Sequence, residues 1–104
     1  MRDNNRDYAQ PATRAGDEDE TQARFEMFRS ATESYNQVMA SHTRGCYHVE
    51  IVCDTDISQF DSCVRTEMRR TVFDAMFSRF RAEGRYGDMT MIWHNNANWS
   101  RDTF

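Results

Sequence analysis

In Cys46-Tyr-His-Val-Glu-Ile-Val-Cys-Asp54 the large apolar side chains fall on every second position. Tyr47, Val49, Ile51 and Cys53 point to one side, and Cys46, His48, Glu50, Val52 and Asp54 to the other. A period of two with β-branched residues predicts a strand with one covered face. The run ends in Asp54-Thr-Asp56, a pair of carboxylates one residue apart. Such a pair can begin a metal site or merely mark where a strand stops and a helix starts.

Upstream, Asp17-Glu-Asp-Glu20 opens a predicted helix. Asp17 is the expected cap and Glu20 its capping-box partner, and the four acids suit the positive end of the helix dipole. The helix is expected to run to about Arg44, with Gly45 as a left-handed stop. Its expected apolar seam is Phe25, Phe28, Thr32, Tyr35, Met39 and His42, widened by Ala31 and Val38. Residues 1–16 hold the only Pro and few apolar groups, and read as a mobile arm.

Downstream, Asp56 or Ser58 is expected to cap a second helix that continues to about Glu83, with Arg79 and Arg81 in its last turns and Gly84 ending it. Val64, Met68, Val72 and Met76 follow one another at i+4, with Phe73, Phe77 and Phe80 as a neighbouring ridge. Met89-Thr-Met-Ile-Trp-His94 alternates again. It places Met89, Met91 and Trp93 on one side, and Thr90, Ile92 and His94 on the other. Residues 95–104 read as a polar tail.

The order α-β-α-β predicts one α+β domain over residues 17–94, two helices packed on one face of a short sheet. Two strands leave both sheet edges open. A homodimer pairing strands across a two-fold axis is the expected remedy, with a third strand in the arm or tail as the alternative.

The bulk properties narrow the function. A chain of 104 residues is one domain with little core to spare, and 38% apolar residues with a mean hydropathy of -0.90 leave part of it outside that core. The net charge of -4 argues against a general nucleic-acid coat, which needs clustered positive charge. Leu and Lys are both absent, and Met and Phe, seven of each, fill the core positions Leu usually takes. Methionine suits adaptable cores and adaptable binding faces. Three cysteines without a CxxC pairing, and no run of membrane-spanning length, predict free thiols and a cytoplasmic protein, in the host cytoplasm if the source is viral.

Three site readings compete. Glu50, Asp54 and Asp56, with His48 and His94 nearby, are candidate oxygen-rich ligands for Mg²⁺ or Mn²⁺ in a nuclease or phosphatase. Against this, an aspartate between strand and helix is the usual helix cap, and no motif supplies a third ligand. His42, Cys46, His48 and Cys53 match no compact zinc spacing, and Cys53 faces away from Cys46 and His48. Cys63 is expected as a small buried residue. On the second helix Arg65, Arg69 and Arg70 are suited to phosphate contacts, but Asp61, Glu67, Asp74 and Glu83 interleave with the basic residues.

No complete catalytic constellation and no cofactor motif emerge. The expected function is therefore a non-enzymatic interaction protein for a protein or nucleoprotein partner, such as a phage-type inhibitor of a host defence machine. Its expected contact residues are Arg65, Arg69, Arg70, Phe73, Met76, Phe77 and Phe80. A nucleic-acid-binding module using the arginine helix is the alternative, and the metal-dependent hydrolase the third reading.

Overall fold

The computed structural model describes residues 11–41 and 45–95, with side chains from residue 18 onward. The elements are helix α1 (Pro11–Ala40), strand β1 (Gly45–Cys53), a single 3-10 turn (Ile57–Gln59), helix α2 (Ser62–Ala82) and strand β2 (Gly87–Asn95). The α-β-α-β order and the α+β class are those the sequence predicts.

Helix α1 begins six residues before the expected Asp17, so Asp17 lies inside the helix and does not cap it. Pro11 stands at its first position, where the missing N–H leaves no hydrogen bond unmade. The first ten residues of the expected arm, the segment 42–44 and the tail 96–104 lie outside the described residues. Gly45 does take the left-handed conformation, with φ 99°, but as the first residue of β1.

β1 and β2 are parallel, in a register that pairs Tyr47 with Met89, Val49 with Met91 and Ile51 with Trp93. Parallel pairing needs a long crossover, and α2 supplies it. The inner face of β1 is as predicted: Tyr47, Val49, Ile51 and Cys53 are all buried. Removing a side chain of the size of Val49 or Ile51 from water contributes about 1.5–3 kcal/mol. Met68, Val72, Met76 and Phe80 of α2 close over this face, and the Tyr47 and Phe80 rings meet edge to face at 5.3 Å. On β2, Met89, Met91 and Trp93 are only partly covered.

The edges of this small sheet differ. The backbone N–H groups of Glu50 and Val52 donate to the hydroxyls of Ser34 and Ser30 on α1, at 2.9 and 2.8 Å. One turn further along, the Glu26 carboxylate accepts the N–H groups of Asp54 and Thr55, at 3.0 and 2.9 Å. Glu26, Ser30 and Ser34 are spaced i+4 and so stand in one row along the helix. That row takes the place of a third strand along the carboxyl-terminal half of the outer edge of β1. The outer edge of β2 has no backbone partner among the described residues.

This arrangement also corrects the expected seam of α1. The buried stripe is Ala23, Met27, Ala31, Tyr35 and Met39, whereas Phe25 and Phe28 are 59% and 44% exposed. With Glu26, Ser30 and Ser34 turned to the edge of β1, Ala23, Met27 and Ala31 face inward and Phe25 and Phe28 are left outside. Thr32, also expected in the seam, instead donates its hydroxyl to the Phe28 carbonyl.

Candidate functional site

The strand-to-helix connection answers the question raised by Asp54 and Asp56. Asp56 accepts the Ser58 N–H at 2.9 Å and the Ser58 hydroxyl at 2.6 Å, and so caps the 3-10 turn. α2 itself starts later, after Asp61, whose side chain makes no capping bond. Glu50 lies on the outer sheet face with His94 Nε2 at 3.2 Å. Among the described residues no three His, Cys, Asp or Glu side chains come together as a metal-ion site. Cys53 points inward and Cys46 outward, as the strand period requires. Cys63, expected to be buried, is exposed in the first turn of α2, one position off the covered row of Val64, Met68 and Val72.

Burial, and then the neighbouring Glu26 carboxylate, push the Cys53 thiol up to about 12. It stays protonated at neutral pH, with Sγ 3.4 Å from Glu26 Oε1, and is no thiolate nucleophile. Burial alone would raise Glu26; the hydrogen bonds from Gln22, Thr55 and Cys53 outweigh it and hold the carboxyl below its ordinary value. Burial and the hydrogen bond to Glu83 likewise push the Tyr35 hydroxyl up to about 12. Tyr35 donates to Glu83 at 2.9 Å beneath the Arg79 guanidinium, which lies 4.5 Å from its ring centre. These are structural roles.

Two of the concave features use the expected arginines of α2, Arg65, Arg69 and Arg70. The first is a groove of about 420 Å³ between α2 and β2, with Arg69, Arg70 and Phe73 on one side and Met91 and Trp93 on the other. The Phe73 and Phe77 rings stack at 5.5 Å, and Phe77 and Phe80 at 6.2 Å. Of the expected contact residues, Met76 and Phe80 are buried in the core and have no surface to offer, since they form the α2 row that covers β1. Phe73 and Phe77 stay half-buried, and Arg70 is exposed.

The second is a cavity of about 450 Å³ at the carboxyl ends of the two strands. Met27, Ile51 and Cys53 form its floor, and Arg65, Arg69 and Trp93 its walls. The Arg69 guanidinium lies over the Trp93 ring, 5.9 Å from its centre, so this pair divides the cavity from the groove. Arg65 donates through Nη1 to the Phe60 carbonyl, which holds its guanidinium at the wall.

Asn95 holds the rim. Its amide nitrogen donates to the carbonyls of Cys53 and Thr55, each at 2.7 Å, and its oxygen accepts the Ile57 N–H at 3.3 Å. The sequence placed Asn95 in the tail; in the structure it ends β2 and ties that end to the turn before α2. Neither its role nor that of Trp93 as a shared wall has a local signal, because both depend on the register of the two strands.

Comparison with protein-family models, curated proteins and solved structures gives no match. No described helix is long and apolar enough to cross a membrane.

Proposed function

We infer that this is a non-enzymatic interaction protein that binds a protein or nucleoprotein partner through the groove between α2 and β2. The observation that carries the reading is the company Phe73 keeps: a half-buried aromatic ring lining a groove with Met91 and Trp93, flanked by Arg69 and Arg70. Aromatic residues, Met and Arg are the side chains enriched at interface centres, and a few such anchors carry most of the binding energy. An inhibitor of a host machine is the finer form of this reading, supported by small size and acidic balance.

A homodimer is supported by the open edge of β2. Since α1 covers β1, a second copy would pair at β2 and give the strand order β1-β2-β2-β1. The nucleic-acid alternative draws on Arg65, Arg69 and Arg70 with Trp93 as a stacking ring. Asp74 in the same groove and the net charge of -4 weigh against it.

The test is capture of a partner from host lysate by the tagged chain, with and without nuclease and across a salt series. The expected result is nuclease-resistant capture that Phe73→Ser abolishes while the melting temperature holds. Capture lost on nuclease treatment, falling steeply with salt and sensitive only to Arg65→Ala, Arg69→Ala and Arg70→Ala, would favour the nucleic-acid reading instead.

A further inference from the structure

The cavity at the strand ends has an unbalanced electrostatic character. Arg24, Arg29, Arg79 and Arg85 each have a carboxylate partner. Arg65 and Arg69, like the exposed Arg70 and Arg81, have none among the described residues, and no carboxylate lines the cavity that Arg65 and Arg69 share. They stand one helical turn apart, where like charges repel. Arg69 Nε is moreover buried with no hydrogen-bond partner among the described residues. A charged donor removed from water without an acceptor is unfavourable. An anion seated between the two guanidiniums would relieve their mutual repulsion.

We propose that this cavity binds a small ligand with an oxyanion head, a carboxylate or a phosphate monoester, on an aromatic or branched apolar body. The Arg69 and Arg65 guanidiniums, which line the cavity, are the donors for the oxyanion, matching the paired acceptors of either group. The Trp93 ring, Met27 and Ile51 receive the body. Both amide N–H donors of Asn95 are taken by the Cys53 and Thr55 carbonyls, so it shapes the rim and leaves recognition of an oxyanion to the arginines. A volume of about 450 Å³ suits a ligand of this size. The position beyond the carboxyl ends of parallel strands is where open α/β sheets place their ligands. This site shares its Arg69–Trp93 wall with the partner-binding groove, but Phe73 and Arg70, on which the partner-binding reading also depends, do not line the cavity.

The experiment is calorimetric titration of the full chain, in low-salt phosphate-free buffer, with phenyl phosphate, benzoate, inorganic phosphate and benzyl alcohol. Phenyl phosphate or benzoate should bind with a Kd below about 1 mM, the tighter of the two naming the oxyanion. Inorganic phosphate, lacking the body, should bind at least about tenfold more weakly, and benzyl alcohol, lacking the charge, not measurably. Arg69→Met should weaken binding by about tenfold or more, and Arg69→Lys, which keeps the charge but loses the planar fork of N–H donors, severalfold. Arg70→Ala should leave affinity unchanged. Failure of both anions to bind, equal binding of benzyl alcohol, or wild-type affinity in Arg69→Lys would each overturn the proposal. The last comparison decides even if Arg69→Met does not fold.

Discussion

The hydroxyl of Ser30 on α1 accepts the backbone N–H of Val52 on β1 at 2.8 Å, a bond that a neighbouring strand would ordinarily make. With Ser34 bonded to Glu50 and Glu26 to Asp54 and Thr55, a helix takes over an edge that a two-stranded sheet would leave open.

Replacing Ser30 and Ser34 with alanine removes these acceptors while leaving the apolar stripe intact. Each substitution should cost about 1 kcal/mol, and the double variant about twice that, in urea unfolding. A double variant as stable as the parent would mean that water serves the edge of β1 equally well.

Glu26 makes stability depend on acid. Its folded-state pKa is lowered, so its contribution is fully present above the unfolded value, near 4.5, and is lost as pH falls through the folded value. Glu26→Gln should be less stable by about 1–3 kcal/mol at neutral pH, because charge-assisted bonds become neutral ones. Its stability should also fall less steeply than that of the parent below about pH 5. Equal acid slopes in the two proteins would remove Glu26 from the account.

Gly87 opens β2 directly opposite Gly45, with φ 112°. A Cβ there would lie 2.5 Å from the Gly45 carbonyl oxygen, a backbone atom with little room to move. Gly87→Ala should therefore destabilise the protein by more than about 1 kcal/mol, while Gly84→Ala, with open space around it, suffers the positive φ alone. Thermal unfolding of the two variants side by side gives the comparison.

As the cap of the 3-10 turn, Asp56 should tolerate asparagine and lose about 1 kcal/mol on Asp56→Ala. Added Mg²⁺ or Mn²⁺ should leave the melting temperature unchanged. A metal-dependent rise that disappears in Asp54→Ala would revive the hydrolase reading.

The β2 edge sets the expected assembly. Light scattering should return twice the chain mass of 12.3 kDa, with hydrogen-exchange protection along β2. A monomer at micromolar concentration would show that the edge is closed from within the chain or left to a partner.

Much of this was written in local periodicity. The alternation of Tyr47, Val49, Ile51 and Cys53 placed β1 and chose its buried face, and the i+4 row of Met68, Val72 and Met76 chose that of α2. These patterns are readable because a strand or helix repeats at a fixed interval, whatever it packs against. Asp56 as a cap was legible for the same reason, since its partner is two residues away.

The rotation of α1 was not legible. Phe25 and Phe28 look more like core residues than Glu26, Ser30 and Ser34, and a helix considered alone turns its most apolar face inward. The unpaired N–H groups of β1 reverse that preference, because backbone donors at a sheet edge demand acceptors that only the polar row offers. The cavity is likewise a tertiary product. Arg65 and Arg69 share a face by spacing alone, but Trp93, Met27 and Ile51 reach them from three other elements or strands, through a register and a packing that no short stretch of chain encodes.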